Sequence, residues 1–107
     1  MAINSYNQVT IQGHVSSALT QRELADGTVI TQWRLKVPRE NESGSDSIPC
    51  STLSAPVLKL LERATDETIF ETQGEIRSRF WNSAGVTGSR VEVNVTKMRK
   101  IKTFSSP

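Results

Sequence analysis

Between Thr68 and Trp81 the chain reads TIFETQGEIRSRFW, and its side chains change register at every step. Phe70, Thr72, Gly74, Ile76, Ser78 and Phe80 fall on one side; Ile69, Glu71, Gln73, Glu75, Arg77, Arg79 and Trp81 fall on the other. Successive side chains of a strand point to opposite faces, which a helix cannot reproduce. A period of two held for this long predicts one long strand with a charged face.

Similar patterns recur on both sides of it. In Gln8–Val15, Val9, Ile11, Gly13 and Val15 alternate with Thr10, Gln12 and His14, which reads as a half-buried strand. Asp-Gly in ADGT, Ala25–Thr28, is a hairpin signal. In Val29–Val37 the inward register is Val29, Thr31, Trp33, Leu35 and Val37, and the outward one Ile30, Gln32, Arg34 and Lys36; Trp33 is therefore assigned to the core. Residues 38–49, PRENESGSDSIP, are polar and read as a mobile loop, and CSTL around Cys50 as a short strand. SAPVLKLLERAT is the one helix, capped by Ser54, with Pro56 in its first turn and an apolar stripe of Val57, Leu61 and Ala64. NSAGVTG is a turn, SRVEVNVTKM a last strand with Val91, Val93 and Val95 inward, and residues 103–107 a frayed end. Five strands with a helix between the third and fourth predict an all-β, five-stranded OB barrel. The 107 residues make one domain, with an ordered core over about 7–101.

Charge is unevenly spread. From Arg77 onward there are seven bases and one acid; before it there are six bases and ten acids, so +6 follows −4. A nearly neutral chain can thus carry a basic surface. The single cysteine, Cys50, excludes an internal disulfide. No basic start leads into an apolar run and no window is long enough to span a bilayer, so a cytoplasmic protein without membrane contact is expected. His14 and Cys50 have no partner motif for catalysis, and Cys50 reads as a small buried hydrophobe. Glu71 and Glu75 stand ~13 Å apart along a strand, too far for a paired acid site. No enzyme activity, metal or cofactor is expected.

Arg77, Arg79 and Trp81 recur at ~6.5–7 Å along one strand face. Single-stranded nucleic acid offers a phosphate and a stackable base per nucleotide at a comparable spacing. Arginine holds phosphate and tryptophan stacks on bases, so the trio reads as a binding track. The opposing reading packs Trp81 on its own sheet beneath the arginine stems. Arg34 and Lys36 on the second strand and Arg90 on the last extend the track. Thr10, Gln12 and His14 are lesser candidates for hydrogen bonds, and Arg22 a loop candidate. Glu71 and Glu75 share the arginine register and would repel phosphate there.

These features together resemble the bacterial single-stranded DNA-binding protein family. The resemblance runs from Asn7 to Ile101, through NQVTIQGHV, RELADGTVITQWRLKV and EVNVTKM. FETQGEIRSRFW is similar to the family's Gly-x-Leu-x-x-Arg-x-Trp strand, with Gly74, Ile76, Arg79 and Trp81 at the matching positions. It implies an OB fold that binds single-stranded DNA without sequence preference in replication, recombination or repair. It also implies a homo-oligomer, dimer or tetramer, with Val9–Val15 as the interface edge. Of the family's several surface aromatics only Trp81 is matched; Asn41, Ile48-Pro49-Cys50 and Ser54 stand where others are usual. The acidic, glycine-rich tail is also not matched. Reduced stacking and a lower affinity follow. Primosomal replication protein N, a short dimeric OB protein, is a second relative on length. It implies the alternative of a replication or restart interaction module with weak nucleic-acid affinity. Nothing in the residues separates DNA from RNA.

Overall fold

A computed structural model describes residues 5–24, 26–83 and 85–103, with the side chains of 81–83, 86, 87, 102 and 103 outside the description. The elements are β1 (Val9–Val15), β2 (Thr20–Glu23), β3 (Val29–Pro38), β4 (Ser45–Thr52), α1 (Ala55–Glu62), β5 (Thr68–Ser83) and β6 (Val86–Thr103). The strands form one sheet in the order β1-β5-β6-β4-β3-β2, and β1 also pairs with β3. Five strands therefore close into a ring, with β2 attached outside it. This is the expected OB barrel, and α1 falls between its third and fourth strands, β4 and β5.

Closure depends on backbones approaching closely. β1 crosses from β5, which it meets over Val9–Gly13, to β3, which it meets at His14–Lys36 and Val15–Leu35. At the crossing, a Cβ on Gly13 would collide with the carbonyl of Lys36. On the far side of β5, the β5–β6 register slips between Gln73 and Gly74. There a Cβ on Gly74 would collide with the carbonyl of Asn94. Glycine at such a slip lets the strand bend into the barrel.

The core inside the ring joins Trp33, Leu35, Cys50, Val93 and Val95 to Val57 and Leu61 of α1. Ser54 caps this helix, its hydroxyl accepting from the Val57 amide at 3.3 Å, with Pro56 in the first turn. The helix ends at Glu62, two residues before the expected Ala64. Trp33 is 2% exposed, as its register requires. Cys50 is fully buried, which agrees with the reading of it as a small hydrophobe.

Four expectations need correction. The loop expected over 38–49 shrinks, because β3 runs through Pro38 and β4 already begins at Ser45. Pro49 stands just before Cys50, where β4 gains β6 as its second neighbour, so it occupies the strand-edge position that a proline tolerates. The strand β2 was not expected; all four of its residues are exposed, so no hydropathy pattern marks it. In β3, Ile30 of the outward register is buried and Val29 of the inward register is half exposed, because β2 rather than the barrel lies alongside this end.

The fourth correction is the largest. Most of the turn expected over 82–88 is ladder: pairing continues from Gly74–Val95 to Ser83–Val86, and Gly85, at φ 79°, keeps the turn. Beyond Ile76 and Val93 the two strands pair only with each other, as a two-stranded ribbon. It helps to stretch the molecule to 52 × 32 × 27 Å. Val91, expected inward, is consequently exposed with Ile76 and Phe80 on one face of the ribbon.

Candidate nucleic-acid interface

β3, β4, β6 and β5 are neighbours in the sheet, and their outward positions form one surface. Gln32, Ser51, Asn94 and Glu75 are register partners in a row across all four strands. Along the strands from this row stand Arg34 and Lys36 on β3, Arg77 and Arg79 on β5, and Glu92 and Arg90 on β6. Arg77 faces Glu92 and Arg79 faces Arg90 across the β5–β6 ladder. All five sequence-expected bases therefore lie on the same surface. The Trp81 backbone follows two positions beyond Arg79, opposite Gly88; its side chain lies outside the described residues.

The bases are not equally free. Lys36 and Arg34 are exposed, and Arg34 Nε donates to Ser47 Oγ at 2.8 Å. Arg77 Nη2 reaches Glu75 Oε1 at 2.6 Å, and its Nε donates to the same oxygen at 3.0 Å. These hydrogen bonds, and then the Arg77 charge, hold the Glu75 carboxyl below its ordinary range. Arg79 is more enclosed. Its Nη2 donates to Ser51 Oγ at 3.4 Å and Asn94 Oδ1 at 3.3 Å, and its Nε lies 3.4 Å from Glu92 Oε2. Asn94 Nδ2 in turn donates to Glu75 Oε1 at 3.4 Å. One polar network thus links β4, β5 and β6 and fixes where the β5 arginines stand.

The network also reaches the core electrostatically. Burial, and next the negative charge of Glu92, push the Cys50 thiol up to about 12, while Arg90 and Arg34 pull the other way. The charges of Arg34 on β3 and of Arg90 and Glu92 on β6 are thus all felt at Cys50 on β4, the strand between them.

The lesser candidates lie elsewhere. Thr10 and Gln12 face Gln73 and Glu71, at the opposite end of β5 from the arginines. Glu71 is paired with Arg99 at 3.1 Å. His14 faces Lys36 and Arg22 faces Ile30. The acids expected to repel phosphate are thus each held by a base. Sequence reasoning missed Ser47 because residues 38–49 were read as loop, and Ser51 because the short strand around Cys50 was given no face. It also missed Glu92 and Asn94, although both alternate with Val91, Val93 and Val95 in the register of Arg90.

The fold that carries these residues is shared with solved proteins. A single-stranded DNA-binding protein from Plasmodium falciparum, solved in complex with single-stranded DNA, superposes with a TM-score of 0.73 at 15% identity, covering 95% of this chain and all of the other. The mitochondrial single-stranded DNA-binding protein Rim1 from S. cerevisiae gives 0.75 at 11% identity in one form and 0.74 at 9% in another, over 95% and 94% of this chain and all of the other. The chain has their fold. No family model and no curated protein sequence matches it. Among the described residues no helix is long and apolar enough to cross a membrane.

Proposed function

We propose that this chain binds single-stranded DNA without sequence preference, on the outward face of β3, β4, β6 and β5, in replication, recombination or repair. The observation that carries this is the gathering of Arg34, Lys36, Arg77, Arg79 and Arg90 on four adjacent strands of a fold that another protein uses in complex with single-stranded DNA. Five bases against Glu75 and Glu92 leave the face at +3. The arginines and Lys36 hold phosphates, and Trp81, continuing the arginine register, stacks on a base. No bond is made or broken; binding rests on ion pairing, counterion release and stacking.

Assembly belongs to the same reading. β1 is paired with β5 over Val9–Gly13 and meets β3 only through His14 and Val15. Among the described residues its second edge is open over 9–12. An open strand edge is a template for another strand, and a second copy of the chain would pair there in a homodimer or larger homo-oligomer.

One observation favours a second reading. Ile76, Phe80 and Val91 expose large apolar surface on the ribbon, and Phe80 is 79% exposed. Such surface fits a protein partner of the replication machinery, with weak nucleic-acid affinity. Titration of tryptophan fluorescence with a dT oligomer separates the two. Saturable quenching supports the DNA reading, and no response supports the interaction module.

A further inference from the structure

Glu92 stands apart from the other acids of this face. Its side chain is 1% exposed, and among the described residues neither carboxylate oxygen has a hydrogen-bond partner. Its ion pair is with Arg79 Nε at 3.4 Å; Arg90 stands two positions along β6 on the same face, and Arg77, the register partner of Glu92 on β5, is held by Glu75. Arg79 and Arg90 are direct register partners, and both have a buried Nε without a hydrogen-bond acceptor among the described residues. Like charges set opposite each other on a sheet repel, and a buried carboxylate is costly without a counter-charge. Each part of this knot therefore needs the others, and two guanidiniums around one carboxylate still lack one anion.

We infer that Glu92 is an internal competitor for nucleic-acid phosphate at Arg79 and Arg90, and that it sets the affinity of the face below what its five bases would otherwise give. The inference rests on the DNA-binding reading above and adds to it a residue that restrains binding. A phosphate oxygen is the anion the knot lacks. To accept it, Arg79 must share its charge between phosphate and Glu92. In low-dielectric surroundings such sharing costs far more than at an exposed pair. Glu75 and Arg77 are the comparison on the same face: their side chains are 34% and 53% exposed, so water replaces that contact cheaply.

The test is Glu92→Gln, which keeps the shape and removes the charge, titrated with a dT oligomer alongside wild type and Glu75→Gln. Freeing one more phosphate contact is expected to steepen the log–log salt slope by about 0.7 and to tighten binding about fivefold at about 0.1 M salt. Glu75→Gln is expected to give less than half of either shift. Because Glu92→Gln leaves two facing arginines without their counter-charge, Arg79→Gln and the double variant Arg79→Gln/Glu92→Gln are measured as well, each with a thermal melt. Arg79→Gln alone is expected to weaken binding, and adding Glu92→Gln to restore it to within about twofold of wild type. If wild type binds but Glu92→Gln leaves affinity and slope unchanged, or does not fold while the double variant binds no better than Arg79→Gln, the inference is overturned. If wild type itself does not bind, the DNA-binding reading fails and takes the inference with it.

Discussion

The two tryptophans carry opposite expectations, one for the core and one for binding. Trp33 is sealed in the barrel, and its Nε1 has no acceptor among the described residues. Trp33→Ala is expected to cost ~3–5 kcal/mol of stability. Trp33→Phe should cost less, because it keeps most of the volume and removes an unpaired donor; thermal melts of both check this. Trp81→Ala is expected instead to cost ~1–3 kcal/mol of oligonucleotide affinity with little change in melting. Reversed outcomes for the pair would mean that the faces had been exchanged. Gly74→Ala drives a Cβ into the Asn94 carbonyl beside the network that holds Arg79, so it should lower both stability and binding. Cys50 adds a pH signature. Its folded thiol titrates near 12 against an ordinary 9.0, so the unfolded chain releases its proton first. Stability from this group is therefore intact below pH 9 and lost as pH rises toward 12. A thiol reagent at pH 8 should leave native Cys50 unmodified and label it only on unfolding.

Elements with strict alternation were legible as they stood. In β1, in the middle of β3 and in most of β5, each residue's neighbours assign its face. Trp33 and the surface bases were placed by that rule alone. Three features were not legible, each for its own reason. β2 is four exposed polar residues, and only the Asp26–Gly27 turn hints that a strand must precede β3. The start of β4 is written in serine, aspartate and proline because it is an edge until Cys50. The ribbon beyond Ile76 keeps the alternation but leaves the barrel, so its inward register meets solvent and Val91 and Phe80 are exposed. Polar substitution there tests whether the ribbon's apolar face matters: Phe80→Ser and Val91→Thr are expected to leave dT binding within about twofold, since the arginines lie on the other face. A loss comparable to that of Trp81→Ala would place the DNA path on the apolar side.

At the scale of the whole molecule, the barrel is a frame that brings bases from distant stretches of sequence onto one surface. Arg34 and Arg90 are far apart in the chain, yet both lie close enough to Cys50 to bias its titration. Which strands close the barrel is set through Gly13, Gly74 and the β1–β3 crossing, and no local pattern reveals that. The open edge of β1 carries an expectation about assembly. Light scattering at micromolar concentration should give a mass of at least twice the 11.9 kDa chain, and a clean monomer would remove β1 as an interface. The basic face is tested most directly by titrating dT oligomer at a series of salt concentrations and following tryptophan fluorescence. Three to five phosphate contacts per subunit should quench the signal saturably, with a log–log slope of about −2 to −3.5. Binding that ignores salt, or no binding at all, would contradict a face built to hold phosphate.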